Sequence, residues 1–386
     1  MTIGVLGCYG AVGGALARRL PAPLRLGGRD PARVQATARP GDEAFVVDLD
    51  DADALARFCA GCEVVVNCAG PSARILDTVA RAALAEGAHY VDVAGDLLDQ
   101  ALLTDLALRA PAGPRAAVLA AGMMPGLSAL LPRAMAATAD PTPRPALRPT
   151  PAPRRLVAHV GGLDRFTKAA ALDYVASLTG EYATPQAAWQ SHRQVRAALR
   201  PRDGVRLPHF PGRVSAYPYL SRETVRLARE LGLAEVEWWG VFDGERAPRA
   251  LAGASGKDPE QAAQELGLAA GLDAVGREPY MLLVFDLDGT TLTARATDSY
   301  ELTAAVAASA VTALLEGRVP PGAHEAAWVL SPERVLDDLR ADPAVTVAFA
   351  HEEAAHEGSA HEGSAHEGSA HEGSAHEEEA VEEGVL

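Results

Sequence analysis

Short apolar runs alternate with amphipathic stretches over the first 138 residues of the chain. Apolar residues at i, i+3 and i+4 within those stretches predict helices. Strands that alternate with helices of this length are typical of right-handed βαβ units and a buried parallel sheet. The pattern predicts a doubly wound α/β domain over residues 1–138, with strands at 3–7, 24–28, 44–50, 63–67, 89–93 and 116–122 and helices at 11–20, 31–38, 51–60, 72–86 and 97–109.

A proline-rich stretch follows this domain. Six prolines lie between Pro141 and Pro153, a density that prevents helix and central strand and predicts a linker or loop over residues 139–155. Residues 156–345 then mix strand-like and helical segments, which favours an α+β substrate or dimerisation domain. The predicted strands are 155–161, 235–244 and 280–289, and the predicted helices are 168–178, 221–231 and 300–315, the last packing back onto the first domain.

The end of the chain repeats His-Glu-Gly-Ser-Ala with a period of five from His356 to Ala375. This composition predicts a disordered tail over residues 346–386. From residue 351 the tail holds eleven Glu and no Lys or Arg, so the net charge of −16 becomes −5 without it. No basic field that would attract nucleic acid remains. The six tail histidines could bind divalent metal loosely, but a solvated tail is favoured and no metal site is predicted.

The chain begins without a basic segment and cleavage site, and no apolar run reaches about 18 residues. We therefore expect a soluble, cytoplasmic protein without a membrane partner. All four cysteines precede residue 70. Cys62 and Cys68 would lie at opposite ends of one strand, roughly 20 Å apart, which argues against a shared zinc ion with Cys8 and Cys59. Buried thiols are favoured, and a disulfide-forming pair is the alternative.

A glycine-rich turn, Gly7-Cys8-Tyr9-Gly10-Ala11-Val12-Gly13, joins the first strand to the first helix. Glycines in this arrangement permit a tight turn, close approach to a pyrophosphate and close packing of the helix, as in the Rossmann fold. After the second strand comes Gly28-Arg29. Arginine at this point accommodates the 2′-phosphate of NADP, whereas an acidic residue would favour NAD, so NADP is predicted. Asp48, within the predicted third strand, completes the candidate cofactor contacts on this side.

Two other enzyme classes share parts of these motifs. Short-chain and epimerase-type enzymes need Tyr four residues before Lys, but the only lysines, Lys168 and Lys257, follow Asp164 and Gly253 at that spacing. The segment 284–291 matches the first motif of haloacid dehalogenase-like phosphatases. No lysine follows it, so a β-hairpin with an Asp-Gly turn is favoured.

Several segments in order resemble the saccharopine dehydrogenase-like, NAD(P)-dependent reductase family over roughly residues 1–340. They are the glycine-rich start, Gly28-Arg29, and the stretches 64–71, 89–96, 121–128 and 298–308 before Pro321-Gly322. The resemblance implies that Asn67, Ala69, Gly70 and Pro71 line the nicotinamide, that Tyr90 and Asp92 lie at the mouth of the next strand, and that Met123–Ser128 begin a helix beside the reacting centre. Many members carry an acidic residue where this chain has Met124, which favours a less charged substrate than an amino diacid.

Proton transfer to the substrate needs an acid or base, and five polar side chains are candidates. Tyr90, Asp92 and Lys168 are the predicted catalytic groups, and Asp96 and Tyr217 are the further ones. A solvated lysine at a helix start is the alternative for Lys168. The predicted substrate contacts are Met123, Met124, Pro125, Gly126 and Tyr217.

These features together predict an NADPH-dependent oxidoreductase, with NAD as the less favoured cofactor. The leading hypothesis is hydride transfer to or from the C=N bond of an amine or imine substrate. One alternative is a trans-acting enoyl reductase that reduces a C=C bond of an apolar or carrier-bound substrate. Another is an NADP-binding scaffold or sensor without turnover. A homodimer is expected.

Overall fold

Seven parallel strands form the first sheet, in the order β16-β6-β5-β4-β1-β2-β3. The computed structural model describes residues 2–94, 98–138, 154–178, 182–254 and 256–351. Residues on the central strand β4 are apolar on both faces, as expected for a sheet covered on both sides. The strands are β1 (Thr2–Leu6), β2 (Leu24–Gly28), β3 (Glu43–Val46), β4 (Cys62–Asn67), β5 (His89–Asp92), β6 (Ala116–Leu119) and β16 (Gly322–Glu325).

Helices connect successive strands of this sheet. Asp30 and Asp51 cap the second and third helices through their carboxylates, which accept backbone N–H groups of the first turn. The predicted helix at 72–86 is divided into two by a break at Leu76, whose φ is 48°. The helices are α1 (Ala11–Arg19), α2 (Pro31–Thr37), α3 (Ala52–Cys59), α4 (Ser72–Ile75), α5 (Thr78–Ala85), α6 (Gln100–Leu108) and α7 (Leu127–Thr138).

A second, mixed sheet has ten strands. Its main path runs β10-β9-β13-β7-β14-β15-β17, and β12 pairs with β8, β11 and β13. A Cβ on Gly161 of β7 would lie 1.8 Å from the Val241 carbonyl oxygen, so only glycine allows the strands to approach here. The strands are β7 (Arg155–Leu163), β8 (Ala183–Pro185), β9 (Ala188–Gln190), β10 (Arg193–Val195), β11 (Arg202–Arg206), β12 (Arg213–Ser221), β13 (Glu235–Phe242), β14 (Tyr280–Leu287), β15 (Thr290–Ala296) and β17 (Thr346–His351).

Seven helices accompany the second half of the described chain. Helix α12 lies against α1 and the first sheet, and Glu301 at its start pairs with Arg18 and Arg19 of α1 at 2.5 and 2.6 Å. The α12 residues are mostly small and apolar, which lets the helix be buried on most sides. The helices are α8 (Lys168–Ser177), α9 (Arg222–Glu230), α10 (Arg246–Ala252), α11 (Pro259–Asp273), α12 (Ser299–Leu315), α13 (Ala326–Val329) and α14 (Pro332–Ala341).

The sequence patterns identify the fold class correctly, a parallel Rossmann sheet with a second domain of strands and helices. One predicted boundary differs: residues 346–351 form β17 instead of the start of a tail, because they pair with β15. The side chains of residues 346–350 alternate between exposed and part-buried. Most of the proline-rich segment, residues 139–153, and the tail from residue 352 lie outside the described residues.

Two motifs that suggested other chemistry have structural roles. Strands β14 and β15 form a hairpin across Asp288-Gly289, as favoured for the phosphatase-like motif. All four cysteines are free thiols, and Cys8, Cys59 and Cys62 are buried. Within the described part of the chain, no three His, Cys, Asp or Glu side chains group closely enough to hold a metal. No described helix has the length and apolarity that a membrane crossing requires.

Candidate functional site

The glycine-rich turn lies at the carboxyl edge of the first sheet, where β1 passes into α1. Gly7 has φ of 74°, and a Cβ on Gly13 would lie 2.2 Å from the Gly7 carbonyl oxygen. The turn therefore packs backbone against backbone and leaves no room for a side chain at Gly7 or Gly13. No side chain caps α1 at Gly10, and its first turn holds no acidic residue. This open helix N-terminus, with Ala11 and Val12 in its first turn, fits the pyrophosphate of a dinucleotide.

Two arginines flank the end of β2 beside Tyr9. The Arg33 guanidinium lies over the Tyr9 ring, 4.2 Å from its centroid, and the Tyr9 hydroxyl accepts the Arg29 backbone N–H at 3.2 Å. Arg29 and Arg33 are exposed, and neither has an ion-pair partner among the described residues. Within the described part of the chain, the Arg33 guanidinium donates only to the Tyr9 carbonyl oxygen, at 3.4 Å, and guanidinium groups without an ion-pair partner suit a phosphate. The sequence analysis does not identify Arg33, although its position in the first turn of α2, four residues after Arg29, is a usable signal.

Asp48 is the third predicted cofactor contact on this side. Asp48 follows β3 and is exposed, and its carboxylate accepts the Asp50 backbone N–H at 3.2 Å. Its neighbour Val47 donates its backbone N–H to the Gly28 carbonyl oxygen at 3.0 Å. Asp48 therefore lies near the end of β2, where the predicted ribose contacts converge.

The segment after β4 is held from both domains. The Asn67 side chain accepts the Ala69 backbone N–H at 3.1 Å, which shapes the turn before Gly70 and Pro71. From the second domain, the Asp173 carboxylate accepts the backbone N–H and the hydroxyl of Ser72, both at 2.9 Å. Burial raises the pKa of Asp173, and these bonds lower it in part. The predicted nicotinamide-side residues thus lie where the two domains meet.

Tyr90 and Asp92 lie side by side beneath this edge. The Tyr90 hydroxyl and the Asn67 amide donate to one Asp92 oxygen, and the Ala94 backbone N–H donates to the other at 2.8 Å. Burial raises the pKa of both acids above their ordinary values. Tyr90 is completely buried, so its placement argues against the predicted proton donor and favours a role in positioning Asn67.

A cleft lined by residues of both predicted domains lies beside the turn that follows β6. Met123 and Met124, which follow β6, form its wall on the Rossmann side. The opposite wall comes from β7, β13 and α8 and is mostly apolar or glycine. Its other lining residues include Val160, Gly161, Gly162, Leu163, Asp164, Phe166, Tyr174, Tyr219, Gly240, Val241, Phe242, Asp243, Asp273 and Met281.

The Met123–Ser128 turn is fixed by the second domain. Glu223 of α9 accepts the Gly126 backbone N–H at 2.7 Å and also the Ser128 hydroxyl. Pro125 and Gly126 therefore shape the turn, whereas the two methionines face the cleft. Position 124 is Met, but the carboxylate of Glu223, which is distant in the sequence, lies beside this turn.

Two predicted site residues lie elsewhere. The Lys168 side chain is 77% exposed, and its ammonium is 3.7 Å from Glu260, which is the environment of a solvated surface lysine. The Tyr217 hydroxyl donates to exposed Asp203 at 2.9 Å, and its strand neighbour Tyr219 lines the cleft instead. Asp96 lies outside the described residues. Tyr174, Tyr219 and Asp173 were missed because their roles depend on how distant segments pack.

Comparison with known proteins defines the first domain. Residues 3–116 match the family model of the saccharopine dehydrogenase NADP-binding domain. The first domain is similar to the NADP-binding domain of saccharopine dehydrogenase. This match confirms the family that the motifs resemble and confirms NADP as the cofactor of this domain, which agrees with Arg29 at the end of β2. No curated protein sequence matches the chain.

Solved structures extend the similarity to the rest of the fold. The chain is similar to apo saccharopine dehydrogenase (L-Glu forming) from Saccharomyces cerevisiae, with 14% identity and a TM-score of 0.58, over 90% of this chain and 99% of that one. It also matches triphenylmethane reductase from Citrobacter sp. in complex with NADP(H), with 21% identity and a TM-score of 0.25, over 30% of this chain and 48% of that one. The first similarity shows that both domains have a saccharopine dehydrogenase-like fold.

Proposed function

We propose that this protein is an NADPH-dependent reductase whose substrate is uncharged and apolar and binds in the cleft beside Met123 and Met124. The observation that carries the proposal is the cleft wall itself. It faces the carboxyl edge of an NADP-binding domain, and none of its described lining residues is Lys or Arg. An amino diacid would bring carboxylates that need cationic partners.

Different segments of the chain bind the cofactor and enclose the substrate. The α1 N-terminus binds the pyrophosphate, and Arg29 and Arg33 bind the 2′-phosphate. The segment from Asn67 to Pro71 orients the nicotinamide, which supplies a hydride when the cofactor is bound. Met123, Met124 and the apolar strands opposite exclude water from the reacting bond.

The apolar lining bears on the two chemistries that the sequence leaves open. Reduction of a C=N bond remains compatible with the cleft if the imine is uncharged. Reduction of a C=C bond in an apolar or carrier-bound substrate is favoured more directly, since such a substrate needs no cationic side chain at the reacting end. The homodimer and the cytoplasmic location stay predictions.

NADPH oxidation, followed by absorbance at 340 nm, tests the proposal with three groups of compounds. These are uncharged imines, enoyl thioesters, and amino acids mixed with 2-oxo acids. We expect turnover with one of the first two groups and none with the charged mixtures. Turnover with the charged mixtures would contradict the apolar assignment, and tight NADPH binding without any turnover would favour the scaffold or sensor.

A further inference from the structure

The Tyr219 hydroxyl faces the cleft, and its proton has only a weak hydrogen-bond acceptor. Its oxygen accepts the indole N–H of buried Trp238 at 3.1 Å. The hydroxyl proton therefore points away from Trp238, towards the Met124 sulfur at 2.8 Å. A thioether is a weak acceptor, so a stronger acceptor in the cleft would replace it at little cost.

A second phenol faces the same cleft. Phe166 and Phe242 hold the Tyr174 ring edge-on, with centroids 5.3 and 6.2 Å away. Among the residues that the structure describes, its hydroxyl has no hydrogen-bond partner. The two phenols are close enough that Tyr174 contributes to the raised pKa of Tyr219, although burial is the main cause for both. Both groups therefore stay protonated and remain donors near neutral pH.

The three carboxylates that line the cleft are already paired. Asp164 accepts the backbone N–H groups of Arg165 and Ser299 at 2.7 and 3.1 Å. The other two bind residues of their own domain: Asp243 accepts from Arg277 and Tyr280 at 2.5 and 2.8 Å, and Asp273 accepts the backbone N–H groups of Arg246 and Ala247, each at 2.9 Å. The phenols are thus the available polar groups of an otherwise apolar wall.

We propose that Tyr174 and Tyr219 together bind the carbonyl oxygen of the substrate, and that the substrate is an α,β-unsaturated carbonyl compound. This inference rests on the proposed reductase function and adds the substrate class to it. Two neutral donors in an apolar cleft match an uncharged acceptor, whereas a carboxylate would call for a cation. An isolated imine nitrogen would use one donor and leave the other unpaired.

The arrangement also suits the reaction. The β-carbon accepts a hydride, the C=C electron pair moves onto the conjugated carbonyl, and the resulting enolate oxygen lies against the two hydroxyls. The α-carbon then takes a proton from water, so each reduced bond consumes one NADPH and one proton. Donors aimed at an oxygen that gains charge stabilise the transition state more than the ground state.

Binding is tested without turnover, by using a saturated probe that keeps the carbonyl. Calorimetry with S-hexanoyl-N-acetylcysteamine and NADP⁺ should give affinities that fall several-fold in Tyr219→Phe and in Tyr174→Phe, as expected for loss of one neutral hydrogen bond. Tyr217→Phe on the same strand, whose hydroxyl pairs with Asp203, is the matched control. The infrared carbonyl band of the bound probe should shift to higher frequency in the two cleft variants only.

Turnover gives the second readout. With the S-2-hexenoyl thioester, Tyr219→Phe should lower kcat by about 100-fold, in the range for loss of one oxyanion donor, while the Kd of NADPH stays unchanged.

The outcomes separate this inference from the proposed function. If the protein reduces uncharged imines but neither binds the saturated probe nor reduces the enoyl thioester, the carbonyl site is wrong and the reductase stands. If it oxidises NADPH with no compound, the reductase proposal fails, and probe binding still decides the carbonyl site. Equal binding and carbonyl frequency in wild type and both phenylalanine variants would overturn the inference.

Discussion

The nucleotide side and the substrate side of the cleft are built by different means. On the nucleotide side, the contacts come from consecutive residues between β1 and α1 and at the start of α2, and much of the site is backbone. On the substrate side, the wall combines residues from β7, α8, β12 and β13 with the turn after β6. A site made of consecutive backbone groups can be predicted from a sequence motif. A wall made of side chains from distant segments can be identified only from the folded structure.

The largest effect should follow a change in the local backbone site. Gly13→Ala places a methyl group 2.2 Å from the Gly7 carbonyl oxygen, so the β1–α1 turn must open. Overpacking of this kind costs about 1–3 kcal/mol. We expect the affinity for NADPH to fall by at least about tenfold, because the turn binds the pyrophosphate. Fluorescence titration of NADPH measures this. Gly14→Ala is the control, because its Cβ meets nothing closer than 3.6 Å, and the same loss there would contradict the steric explanation.

The next effect separates the two cofactors. Arg33→Ala removes the guanidinium over Tyr9, and loss of one charge-assisted bond of about 1.5–3 kcal/mol should weaken NADPH binding about 10- to 100-fold. NADH binding should barely change, because NADH lacks the 2′-phosphate. Arg109→Ala, whose side chain pairs with Asp105 on the surface of α6, serves as the matched control. Equal losses for NADPH and NADH would assign Arg33 a structural role instead.

A third change tests whether the substrate side depends on contacts between the domains. Glu223→Ala leaves the Gly126 N–H and the Ser128 hydroxyl without this acceptor, and unsatisfied groups of this kind cost about 1–3 kcal/mol in the free energy of unfolding. Urea unfolding should show this loss. Glu230→Ala lies on the same helix in an exposed pair with Arg226 and should stay within about 0.5 kcal/mol of wild type. If Glu223→Ala were as stable as wild type, the turn would be held by contacts within its own segment and not by Glu223.

The same contrast explains how far sequence reasoning reaches. The parallel sheet, the glycine turn and the NADP preference followed from periodicity and from Arg29, because each depends on neighbouring residues. Tyr217 was selected instead of Tyr219 because both lie on the same strand and only packing against Met124 distinguishes them. Lys168 has the chemistry of a proton donor, but the residue type does not determine that its side chain faces solvent at the start of α8. Asp173 gave no local signal, since its partner Ser72 is 101 residues away.

The smallest expected effect compares a carboxylate from each domain. Burial raises the pKa of Asp173, so its contribution to stability is fully present below its unfolded pKa of about 3.9 and is lost as pH rises through the folded value. Burial also acts on Asp42, but hydrogen bonds from Arg39 and from the Leu24 backbone N–H outweigh it and lower the pKa, so its contribution is present above the unfolded value and is lost as pH falls.

Urea unfolding at pH 4 and pH 7 measures both contributions against the corresponding asparagine variants. From pH 4 to pH 7, wild type should lose stability relative to Asp173→Asn and gain it relative to Asp42→Asn, and each variant is the control for the other. The Asp173 carboxylate bridges the two domains, whereas Asp42 binds only within the first. If the stability difference from wild type changed in the same direction for both variants, general charge balance would govern both sites, and the contact between the domains would contribute no pH dependence of its own.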